Sequence, residues 1–86
     1  MSDLENYIEI ELNKRFPNIK ILIKYEPIHK YRITLICTHL PLETGIIRKT
    51  IVFAYDFMNN YMVSSNINQM EIEIKNILKK EGVKYE

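Results

Sequence analysis

Tryptophan is absent, and one cysteine, two glycines and three prolines are spread over 86 residues. With Cys37 alone, no disulfide can form within the chain, and a cysteine-based zinc site is all but excluded. A reducing, cytoplasmic (intracellular) setting is the expectation that fits. Two isolated glycines, Gly45 and Gly82, cannot build a phosphate-cradling loop. Neither charge dominates: 12 Lys and Arg stand against 11 Asp and Glu. A strongly basic nucleic-acid arm is therefore not the default. No apolar run approaches the roughly 18–20 residues of a membrane span, so no membrane role is expected. The acidic Met-Ser-Asp-Leu-Glu start reads as the opening of a helix, not as a secretory signal.

What is present is ordinary globular composition, 47% apolar and 27% charged. The length allows one core, so residues 1–86 are read as a single domain held by apolar packing. Isoleucine, asparagine, lysine and tyrosine are all frequent and all have AT-rich codons. That bias suggests a phage, viral or bacterial genome of AT-rich character.

Leu4, Ile8, Leu12 and Phe16 recur in steps of four and predict a first helix. Ser2 and Glu5 have the spacing of a capping box, and Pro17 supplies the stop. Ile19, Ile21, Ile23 and Tyr25 alternate with polar residues, as do Tyr31, Ile33, Leu35 and Cys37. Both segments predict half-buried strands, joined by a turn at Pro27-Ile28-His29-Lys30. A loop from His39 to Gly45 leads to a third strand, Ile46 to Tyr55, with Ile51, Phe53 and Tyr55 facing inward. Ser64, Ser65 and Asn66 supply cap residues for a last helix. Ile67, Met70, Ile74, Ile77 and Leu78 share one face of it, and Gly82 ends it. Ile10 and Ile72 fall off the core faces of the two helices, where they touch each other or mark a partner surface.

The expected architecture is α+β: an α-β-β-β-α chain folded as a three-stranded antiparallel meander with both helices on one face. The double-stranded RNA-binding domain has this element order too, and the resemblance is one of topology. That domain opens its second helix with a basic stretch that grips phosphates. The corresponding Ser65-Asn66-Ile67-Asn68-Gln69-Met70 carries no basic residue, and membership of that family is not inferred.

Catalytic constellations are sparse. Cys37 and His39 would point the same way on a strand, as a nucleophile and base or as two metal ligands. Asp56 and Glu43 are the available acids, and His29 is the other histidine. The simpler reading makes Cys37 a small buried hydrophobe. Neither a metal, a cofactor nor an enzymatic activity is expected.

Charge placement says more. Residues 1–13 hold four acids and no base, whereas residues 14–32 hold six bases and one acid. In a meander, Lys20, Lys24, Arg32 and Arg48 share the face opposite the helices. Leu22, Ile36 and Val52 lie between them, with Thr34, Thr38 and Thr50. Phe57 to Met70 carries no charge, and Asn59, Asn60 and Tyr61 form its turn. These two regions are the candidate contact sites. The expectation is a small non-enzymatic protein that binds another protein, as a phage or mobile-element inhibitor or accessory factor does. The alternative is nucleic-acid binding through the basic sheet face. Stacking on that face would need exposed aromatics, whereas Tyr25, Tyr31, Phe53 and Tyr55 are assigned to the inner face. A homodimer through paired sheet edges or the Ile10/Ile72 region is a further expectation.

Overall fold

A computed structural model describes residues 3–27, 30–39 and 47–83. Ser2 of the expected capping box, Ile28 and His29 of the expected first turn, and residues 40–46, which hold most of the expected loop with Glu43 and Gly45 and the expected first strand residue Ile46, lie outside the described residues. The element order is α1 (Asp3–Arg15), β1 (Ile19–Glu26), β2 (Lys30–His39), β3 (Ile47–Asp56) and α2 (Val63–Lys80). It is the α-β-β-β-α arrangement expected, in one sheet of order β1-β2-β3.

Both ladders are antiparallel and unbroken. Ile21 stands opposite Leu35, and Leu35 opposite Ile51. The two-residue period then separates the faces. Ile19, Ile21, Ile23, Tyr31, Ile33, Leu35, Cys37 and Tyr55 point one way and are buried. They meet Ile8, Leu12 and Phe16 from the first helical segment and Ile67, Met70, Ile74 and Leu78 from α2. The core thus lies between the sheet and both helices, leaving the other face of the sheet open.

Helix α1 stops where Pro17 requires it, and the Phe16 carbonyl accepts the N–H of Ile19 at 3.1 Å to start β1. Beyond α2, Gly82 takes φ +71°, a left-handed conformation that a side chain disfavours. The Val83 N–H then donates back to the Leu78 carbonyl at 2.9 Å, and Val83 tucks into the core.

Two expectations are corrected. Asn66 does not cap α2. The helix begins earlier, at Val63, with Met62 at the cap position and no side-chain cap bond. Asn66 is instead fully buried one turn inside. Tyr25 lies on the inner-face register but is 43% exposed. It stands at the end of β1, edge-on to Tyr31 with ring centroids 5.2 Å apart. Ile51 and Phe53, on β3, are only partly buried.

Candidate functional site

The open face of the sheet brings together the four cations expected there. The registers place Lys20 beside Ile36 and Thr50, Leu22 beside Thr34 and Val52, and Lys24 beside Arg32 and Ala54. Arg48 stands opposite Thr38. The middle of the face is therefore apolar, with Leu22 39% and Val52 55% exposed and Ile36 half-buried. Lys20 and Arg48 lie toward one end of this strip and Lys24 and Arg32 toward the other.

The four cations are not equivalent. Arg32 Nη2 is 2.6 Å from Glu26 Oε1, so its charge is answered within the first hairpin. Lys30 and Asp56, the neighbouring row, pair loosely at 3.8 Å. Lys20, Lys24 and Arg48 form no ion pair with another described residue. Lys20 and Arg48 line an open depression of about 410 Å³ together with Pro17, Asn18 and Ile36. Two cations beside apolar side chains suit an acidic side chain carried on an apolar surface.

The second candidate site is a turn held from behind. The Tyr61 N–H donates to the Met58 carbonyl at 3.1 Å, closing a turn with Asn59 and Asn60 at its tip. The buried Asn66 fixes it. Its Oδ1 accepts the Met58 N–H at 2.9 Å and the Tyr55 hydroxyl at 3.0 Å. Its Nδ2 donates to the carbonyls of Met58, at 3.0 Å, and Met62, at 3.1 Å. Every donor and acceptor of the amide side chain is used. Burial, with Glu73 nearby, pushes the Tyr55 phenol up, so it stays a neutral donor. Met58, Tyr61 and Met62 are left exposed, Met62 by 73%. Residues 58–62 thus present adaptable apolar side chains on a backbone that is already ordered.

A third feature lies at the sheet edge, where the sequence carried no warning of it. The side chain of Asn13 acts as a strand partner for β1. Its Oδ1 accepts the Ile21 N–H and its Nδ2 donates to the Ile21 carbonyl, both at 2.9 Å. Nδ2 also returns to the Glu9 carbonyl at 2.8 Å. Glu9 Oε1 accepts the Ile23 N–H at 2.9 Å. Helix α1 thereby occupies the outer edge of β1.

Cys37 is fully buried on the inner face, and burial pushes its thiol up while Lys49 opposes the shift weakly. A protonated thiol without solvent access is a poor nucleophile. Lys49 itself pairs with Glu81 at the end of α2. Among the described residues, no three His, Cys, Asp or Glu side chains gather to hold a metal. Among the described residues, no helix is long and apolar enough to cross a membrane. Ile10 and Ile72 are each more than half exposed. No family model, curated protein or solved structure matches this chain.

Proposed function

We propose that this protein acts without catalysis, by docking the open face of its sheet onto an acidic patch of another protein. The supporting observation is the exposed Leu22–Ile36–Val52 strip beside Lys20 and Lys24, whose charges no described residue answers. An apolar centre with a charged rim is how protein interfaces are usually built. Single-stranded nucleic acid is disfavoured because the face carries no aromatic ring on which a base could stack. The ordered Met58–Met62 turn supplies a second contact, through Asn59, Asn60 and Tyr61. The small domain and the AT-biased residue usage support an inhibitor or accessory factor of a phage or mobile element.

The test uses immobilised protein, nuclease-treated lysate and three variants. Leu22→Ser, the pair Lys20→Glu with Lys24→Glu, and Tyr61→Ala should each keep the circular dichroism of the parent. The first two should weaken a captured partner by roughly tenfold or more, since one removes the apolar anchor and the other reverses the rim. A partner held equally well by both would remove the sheet face from the reading. Fluorescence anisotropy with labelled duplex and single strands checks the alternative. Binding that falls steeply with salt would replace protein by nucleic acid as the ligand.

A further inference from the structure

The two edges of the sheet are treated differently. Because Ile21 turns both its N–H and its C=O toward Asn13, the odd-numbered residues of β1 face outward and the even-numbered ones bond to β2. Followed across the ladder, the odd-numbered residues of β2 bond to β3. Arg48, Thr50, Val52, Ala54 and Asp56 must then turn their backbone groups to the outer side of β3. Among the described residues, no turn, cap or side-chain hydrogen bond reaches those groups. The strand holds no proline and its ladder shows no bulge, two of the devices that usually blunt an edge.

We propose that β3 pairs antiparallel with β3 of a second copy of this chain, about a twofold axis at Val52, to make one six-stranded sheet. The strand is self-complementary in that register. Arg48 faces the partner's Asp56 and Asp56 faces the partner's Arg48, so two opposite-charge pairs form on the open face. On the helix side, Ile51 meets the partner's Phe53 and Phe53 the partner's Ile51. Both are apolar inner-face residues of β3 that the single chain leaves only partly buried. The backbone parity also admits axes at Ile51 or Phe53. Those place Arg48 opposite Ala54 or Met58 and leave Asp56 without a cation. The charge pattern therefore selects Val52. Asp56 is available for the exchange, being 80% exposed and only 3.8 Å-paired to Lys30. In the dimer Arg48 answers Asp56, and Lys20 and Lys24 remain the open cations of the sheet face.

This inference does not depend on the docking reading. Its test uses the purified chain alone and substitutes none of Lys20, Leu22 and Lys24. Sedimentation equilibrium should show a monomer–dimer equilibrium in the micromolar range. Val52→Pro removes only an outward N–H and so keeps the internal ladder, and it should leave a monomer with unchanged circular dichroism. Arg48→Asp and Asp56→Arg should each weaken the dimer by roughly tenfold or more by setting like charges opposite each other. Combining them should restore it to within about threefold. A monomer at every concentration up to about 1 mM, where only affinities too weak to register would remain, overturns the proposal. So does a dimer indifferent to Val52→Pro, or a double charge swap no better than the single ones. Should Val52→Pro fail to fold, the charge-swap series decides alone.

Discussion

Asn13 and Ile21, on different elements, are joined by two hydrogen bonds of 2.9 Å that reproduce the pairing of one β-strand with another. The side-chain amide has the same donor and acceptor as a peptide group, and α1 carries it to the edge of β1. The outward backbone groups of Ile21 are thereby satisfied without a fourth strand.

Asn13→Ala removes three hydrogen bonds and should cost about 1–3 kcal/mol, their usual net worth when the partners regain water. Urea denaturation measures the loss. Hydrogen exchange locates it: the Ile21 amide should lose protection much more than the Leu35 amide in the inner ladder. Equal effects at both would mean that Asn13 contributes only to global stability.

Asn66→Ala should be more damaging, about 2–4 kcal/mol, because it strands the buried Tyr55 hydroxyl and takes the partner from two part-buried Met58 backbone groups. Tyr55→Phe removes a single bond and should cost about 1 kcal/mol. The double variant should fall short of the sum, since both substitutions delete the same contact. Strict additivity in a double-mutant cycle would refute the network.

Glu71 and Glu73 should respond to pH with opposite signs. Hydrogen bonding to Lys75, and less strongly to Arg15, holds the Glu71 carboxyl below its ordinary value. Its contribution is present at neutral pH and is lost as pH falls through the lowered folded value. Burial, with Asp56 nearby, pushes the Glu73 carboxyl up. Its ionised form therefore weighs against folding at neutral pH, and that burden disappears as pH falls through the raised value. Glu71→Gln should destabilise at neutral pH and Glu73→Gln should stabilise. Both differences should vanish in acid. Chemical denaturation at pH 7 and at about pH 3, below the ordinary carboxyl range, is the measurement. A destabilising Glu73→Gln at neutral pH would contradict the assignment.

Much of the fold was legible because its signals are local. Steps of four at Leu4, Ile8 and Leu12 write a helix, and alternation from Ile19 to Tyr25 writes a strand. Once the order is a meander, parity alone places Lys20, Lys24, Arg32 and Arg48 on one face. The inequality among them was not legible. Glu26 reaches Arg32 across the hairpin, which depends on side-chain reach rather than on register. Serine and asparagine before an apolar run usually mark a cap, which is what Ser64, Ser65 and Asn66 predict. The contrary signal was there: Asn66 shares the four-residue step of Met70, Ile74 and Leu78, which puts it on the buried side.

The residues by themselves determined the element order, the buried and open faces of the sheet, and the cations on the open face. Period and chirality link those properties to neighbours along the chain. Only the tertiary structure decided which edge of the sheet is closed, which cations are answered, and that residues 58–62 are held by one buried amide. Each of those outcomes joins segments that sequence spacing does not relate. Asn13 meets Ile21, and Asn66 meets Tyr55 and Met58, because the helices pack on the sheet. A polar group's partner is set by where packing leaves it, whereas an apolar group needs only a side to face.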